Sequence, residues 1–176
     1  MSDTLQVGNS VIRLVKDDIS TLDIESFVYY ARSDLNLGSG IGGAITVRGG
    51  PSIQKELNEL APIELCESVI SEAGELKAKK IVHANGPKFQ EEDIEEKLKT
   101  TVLNALKKAE ENGITQIAFP AMGAGFYGVP LNVSASITLG AIKDYLDKGS
   151  KLTEVIVSLL DNREYIPFET QLGKMG

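Results

Sequence analysis

Two glycine runs stand out by residue type and spacing: Gly38-Ser39-Gly40-Ile41-Gly42-Gly43 and Gly123-Ala124-Gly125-Phe126-Tyr127-Gly128. Both satisfy the pattern G-x-G-x-x-G. Glycine lets successive backbone N–H groups point into one concavity, and its missing Cβ lets an anion approach the main chain closely. The chemistry on offer is phosphate binding. One such loop on each wall of a cleft would grip a diphosphate from both sides, with Ser39 adding a hydroxyl donor. Phe126 and Tyr127 are large rings inside a glycine loop, where core neighbours are few, so Tyr127 could cover a sugar or a base. The plainer reading makes both runs tight turns whose aromatics fold back onto the core.

The spacing alone would also suit a dinucleotide-binding βαβ unit, but the context does not. That unit joins its first strand to its helix with almost no linker and closes a second strand on an acidic residue about 20 positions later. Here residues 32–37 separate the first run from its strand, and Gly49-Gly50-Pro51 breaks the following helix after about two turns. The second run meets Pro130 before any helix begins.

The elements that must position these loops are legible as periodic patterns. Short Val- and Ile-rich runs at 10–15, 27–31, 69–70, 80–84, 115–119 and 154–160 predict strands. Several are too continuously apolar to have a wet face, which favours a sheet covered on both sides. Gly8-Asn9 would turn residues 5–7 onto 11–14 as a hairpin. Helices are expected over 44–47, over 52–60 behind Pro51, and from Ile94 through Ala109 behind Glu91, Glu92 and Asp93. Two more are expected over 135–146 and 168–172. Strand and helix alternate, predicting one domain over 1–176, a three-layer α/β/α sandwich around a mixed, mostly parallel sheet of about six strands.

Composition narrows the partners. With 18 Lys and Arg against 25 Asp and Glu the net charge is −7, which argues against broad nucleic-acid binding because phosphate neutralisation supplies most of that affinity. Small anionic ligands stay open, since backbone N–H groups act as local fields. A single Cys66 and a single His83 leave no cysteine- or histidine-rich metal site and no intrachain disulfide. Cys66 has no helper base in view and reads as incidental, and His83 inside an apolar run reads as structural. No run approaches the roughly 18 apolar residues of a membrane helix, and no basic-then-apolar leader is present, so a cytoplasmic protein without membrane partners is expected.

Taken in order, these segments resemble the macro domain family, which binds ADP-ribose. The likeness spans residues 11–172 and rests on Asp18-Ile19-Ser20, Phe27-Val28, the first glycine run, Arg48-Gly49-Gly50-Pro51, Ile81 through Pro87, Phe119 through Pro130, and 155–161. The resemblance implies a bound ADP-ribose or ADP-ribosylated protein and no cofactor. Asp18 would accept from the adenine amino group and the Ile19 N–H would contact the ring; the plainer reading of Asp18 is a cap on the turn leading into residues 22–24. Gly40, Ile41 and Gly42 would hold one phosphate. Gly123, Ala124, Gly125 and Phe126 would hold the other, with Tyr127 against the distal ribose. Leu160 falls where many members place an aromatic against adenine. Asp161 would either face the adenosine ribose or cap the last helix.

The chain also departs from the family pattern. Members usually carry Val-Asn-Ala-Ala-Asn after the second strand, whose last asparagine holds the distal ribose. Here the run is Val28-Tyr29-Tyr30-Ala31-Arg32. Many hydrolytic members carry aspartate where this chain has Gly42. Arginine only donates hydrogen bonds and cannot serve as a general base. No catalytic residue is therefore assigned, and binding is the expected function. The alternatives are an ADP-ribosyl hydrolase, an O-acetyl-ADP-ribose deacetylase, or a module whose ligand has changed because Arg32 attracts a further phosphate or carboxylate. Strand alternation sends Tyr29 and Tyr30 to opposite faces, one as core filler and the other free to narrow the cleft.

Overall fold

Runs of Val, Ile and Phe too short for helices become the central sheet of the computed structural model, which describes residues 3–176. The strands are β1 (Thr4–Val7), β2 (Ser10–Lys16), β3 (Ser26–Tyr30), β4 (Ser68–Glu72), β5 (Lys80–Ala84), β6 (Gln116–Phe119) and β7 (Glu154–Leu159). Their order across the sheet is β1-β2-β7-β6-β3-β5-β4. The five central strands are parallel, and β1 and β4 close the two edges antiparallel. The sheet thus has seven strands where about six were expected. The hairpin forms in the register Leu5↔Ile12 and Val7↔Ser10, making residues 4–7 a full edge strand.

The helices are α1 (Ile41–Gly49), α2 (Ser52–Leu60), α3 (Ile94–Glu111), α4 (Leu131–Asp147) and α5 (Asn162–Met175). Two start earlier than hydrophobic periodicity alone indicates. Pro130 opens α4, where a fixed φ suits the helix entrance, and the Asp161 carboxylate caps α5, which then runs on through Pro167. Among the described residues no helix is long and apolar enough to cross a membrane.

Alternation along the strands divides the core into two layers. Val28, Val82, Ile117, Phe119, Val155 and Val157 face α3, α4 and α5 through Leu98, Val102, Leu139, Ile142 and Phe168. Phe27, Ile81 and Ala118 point the other way, onto Ile45 of α1 and Ile53 and Leu57 of α2. Both faces are dry, which is why the strands read as continuous apolar runs.

This topology places the glycine runs. After β3 the chain turns to one face through α1 and α2 and returns on the β5 side. After β6 it turns to the other face through α4 and returns at β7. Since β3 and β6 are neighbours, their connections diverge and leave a crevice at the carboxyl ends of the strands, the position at which open α/β sheets bind ligands. One glycine run follows each of these strands.

Candidate functional site

The stretch between β3 and α1 is tied down by side chains, because irregular backbone must still place its polar groups. Asp34 accepts from the Asn36 N–H at 2.9 Å, and Asn36 accepts from the Gly38 N–H at 3.0 Å. Gln54, on α2, accepts from the Leu37 N–H at 2.9 Å and donates to the Leu35 carbonyl at 3.1 Å. From below, the Tyr29 hydroxyl donates to the Leu37 carbonyl at 2.8 Å. The N–H groups of Leu37 and Gly38 are therefore occupied. Gly40 (φ +63°) turns the chain into α1, whose first N–H groups have no intrahelical acceptor and face outward with the positive end of the helix dipole.

The second run is a tight loop ending in a 3-10 turn at Gly125–Tyr127. The Ala124 N–H is bonded to the Ala121 carbonyl at 3.2 Å and the Val129 N–H to Gly123 at 3.0 Å, while the Ser134 hydroxyl braces the Met122 carbonyl at 2.7 Å. Phe126 is 88% exposed at the rim. Tyr127 packs edge-on against Tyr30 with centroids 4.7 Å apart, and the buried Tyr30 hydroxyl donates to the Pro87 carbonyl.

Both runs line one cleft of about 460 Å³, within the usual size of a small-molecule site. It holds Ile19 and Leu160 at one end, Arg32 and Tyr127 among its walls, Ser39, Gly40 and Ile41 from the first run, and Gly123, Ala124, Gly125 and Phe126 from the second. Three anticipated residues do not line it. Asp18 caps a 3-10 turn, accepting from the Ser20 N–H at 2.9 Å and the Ser20 hydroxyl at 2.7 Å, with its other oxygen 3.7 Å from Arg48. Asp161 accepts from the Glu164 N–H at 3.1 Å, so of its two sequence readings the structure shows the cap. Gly42 lies buried beneath the first run.

Sequence reasoning left out several residues of this cleft, among them Leu37, Pro120 and Ala121 beside the glycine runs and, on the far wall, Asp17, Ser158, Arg163 and Glu164. The usable signal was positional, since Asp17 and Leu160 directly follow the parallel strands β2 and β7. Tyr29 and Tyr30 correct a further expectation. They do point to opposite layers, yet both reach the cleft and both are anchored to backbone carbonyls. Burial pushes the Tyr29 phenol up to about 12, so it stays a donor at neutral pH. Arg32 is more than half exposed and pairs with Asp34 at 3.0 Å.

His83 lies outside the cleft, wholly buried on β5, with Nε2 2.8 Å from the Ser71 hydroxyl and Nδ1 without a partner among the described residues. Burial lowers its pKa to about 3. Unfolded histidine titrates near 6.5. Between these values the unfolded chain binds a proton that the folded chain refuses, so stability falls as pH drops through that window and is fully present above it. Urea melts at pH 7, 5.5 and 4.5 should show His83→Gln losing less stability on acidification than the parent, although it starts lower at pH 7 by about 1–3 kcal/mol. Equal acid slopes for both proteins would rule out this assignment.

Comparison with known proteins agrees with the fold. The Macro domain family model matches residues 30–138. An O-acetyl-ADP-ribose deacetylase of Cronobacter sakazakii is 30% identical, with 93% of this chain and 94% of that protein covered. The macrodomain of Oceanobacillus iheyensis solved with ADP superimposes with a TM-score of 0.93 at 25% identity, covering 98% of this chain and 95% of the other. A Trypanosoma brucei macrodomain in complex with ADP-ribose gives 0.87 at 25% identity, covering 92% and 69%.

Proposed function

The chain belongs to the macro domain family, and on that premise we propose that its cleft binds ADP-ribose, free or attached to a protein. The observation that carries this reading is the convergence of two glycine runs, from the adjacent strands β3 and β6, on one cleft at the carboxyl ends of the sheet. The diphosphate lies between the start of α1, at Gly40 and Ile41, and the loop from Gly123 to Phe126, where backbone N–H groups replace its water. The Ala124 amide takes no part, because it is already bonded within the loop. Tyr127 covers the distal ribose. Ile19 and Leu160 give the base an aliphatic seat, and Asp18 offers the oxygen that faces Arg48 to the adenine amino group. Asp161 acts by holding α5 in place.

Support comes from the similar macrodomains solved with ADP and with ADP-ribose. Calorimetry with ADP-ribose, ADP and AMP tests the proposal. A micromolar constant for ADP-ribose, about −8 kcal/mol, is expected, and no binding at millimolar ligand would reject it.

A second reading, hydrolysis of ADP-ribosyl esters, draws on the likeness to the Cronobacter sakazakii deacetylase. The ribose-orienting amide is absent, since Arg32 stands in its place with its guanidinium engaged by Asp34. Positioning groups contribute orders of magnitude in rate. Incubation with O-acetyl-ADP-ribose or a mono-ADP-ribosylated protein should therefore give little or no turnover. Rapid turnover that survives Arg32→Ala would favour the hydrolase instead.

A further inference from the structure

The wall of the cleft built by the ends of β2 and β7 and the start of α5 has an unusual composition. Ile19, Ser158 and Glu164 are buried at its base, Asp17, Leu160 and Arg163 stand exposed on it, and none of the six carries an aromatic ring. Leu160 is an apolar side chain left 51% exposed on this wall. Arg163 sits in the first turn of α5, where the helix dipole disfavours a cation. Its side chain is 68% exposed, and its ion pair with Glu164 is long, at 3.9 Å. Glu164 is otherwise engaged, accepting from the Leu160 N–H at 2.8 Å. Arg163 thus stands in an unfavourable field, weakly partnered, beside an exposed aliphatic surface.

Such a placement suits a ligand group above Leu160 that a guanidinium can cover. An anion fits poorly, because the carboxylates of Asp17 and Glu164 line the same wall and would repel it. A neutral flat ring fits well. Guanidinium is planar, delocalised and weakly hydrated, so it lies flat on a π face, a parallel contact that a strongly hydrated ammonium cannot make.

Resting on the ADP-ribose reading above, we infer that Arg163 is a specificity-determining residue that stacks across the purine, with the base held between its guanidinium and the Leu160–Ile19 surface. The cleft then recognises the base by a cationic plane on one side and an aliphatic floor on the other. Recognition selects for a broad neutral aromatic, and it needs the plane of the side chain more than its charge.

The test measures ADP-ribose affinity by calorimetry for the parent protein and for Arg163→Ala, Arg163→Lys and Arg163→Tyr. Arg163 is exposed, so all three variants should melt with the parent. Alanine should weaken binding roughly tenfold, lysine should do no better than alanine, and tyrosine should come within about threefold of the parent. Adding Leu160→Phe should make Arg163→Ala nearly silent, because a ring then supplies the stacking face. Full rescue by lysine would mean that charge alone acts there and would overturn the inference, as would parent-like affinity in the alanine variant. If the parent itself fails to bind ADP-ribose, the ligand assignment falls and the Arg163 role falls with it. If the parent binds and the variants match it, only the Arg163 role is lost.

Discussion

Gly125→Glu should abolish ADP-ribose binding, by at least 100-fold, while Gly113→Glu leaves affinity unchanged. The two glycines are matched in everything except place. Gly125 has φ +74° and Gly113 φ +73°, and a Cβ added at either would meet no heavy atom within 4 Å. Each substitution therefore carries the same backbone penalty, about 1–2 kcal/mol for an L-residue in the left-handed region, with no clash. Gly113 closes α3 at the amino-terminal edge of the sheet, whereas Gly125 lies in the second glycine loop and lines the cleft. A carboxylate there would sit against the bound diphosphate. At an effective dielectric near 20, one like-charge contact at about 4 Å costs roughly 4 kcal/mol, enough to remove micromolar binding from view. Calorimetry together with thermal melts separates the effects: equal shifts in Tm and unequal losses of affinity are expected. Equal affinities would mean that the second loop does not touch the ligand.

Gly42→Asp should leave the protein largely unfolded, although aspartate is common at this position among hydrolytic members of the family. A Cβ at residue 42 would lie 1.7 Å from the Leu37 carbonyl oxygen, 2.6 Å from its carbon and 2.5 Å from the Tyr29 hydroxyl. The nearest atoms are backbone, and that backbone is held by the Tyr29 and Gln54 hydrogen bonds. Removing Tyr29 as well should not rescue the variant. A loss of more than about 4 kcal/mol is expected, the range reached by overpacked or broken core features. Gly43→Ala is the contrast. Its Cβ would stand 3.5 Å from the Gly38 carbonyl oxygen, an ordinary contact, and alanine in a helix gains about 0.5–1 kcal/mol over glycine. Denaturant melts should rank Gly43→Ala at or above the parent and Gly42→Asp far below it. A Gly42→Asp protein with a parent-like Tm would show that the 37–40 segment can yield. Otherwise the missing carboxylate and the course of the backbone at Leu37 are one coupled arrangement, and no single substitution installs the hydrolytic pattern here.

The strands and the three layers were readable because their signal is local: continuous Val and Ile runs, helical spacing from Ile94 to Ala109, and Pro51 at a helix entrance. Edges were harder. Residues 4–7 form a full strand only because β2 offers a partner edge, and α5 passes Pro167 because Asp161 caps its start and Phe168 and Leu172 pack into the core.

The cleft divides in the same way. Glycine content, loop aromatics and the departures at Tyr29, Arg32 and Gly42 are properties of residue order, so the chain alone indicated a diphosphate-binding pair of loops and a weakened hydrolytic pattern. Which groups line the cleft depends on segments more than 100 residues apart in the chain. Asp17, Ser158, Arg163 and Glu164 meet only where β2 pairs with β7. Asp18 and Asp161 each had a capping and a ligand role open to them. In the folded chain each makes the cap, since an N–H group two or three residues on is within reach of a short carboxylate, and Asp18 does so with one oxygen while the other faces Arg48. Residue type and spacing thus determined the chemistry available, and packing of distant strand ends decided which side chains can take part, because contact across a sheet is set by pairing and not by order along the chain.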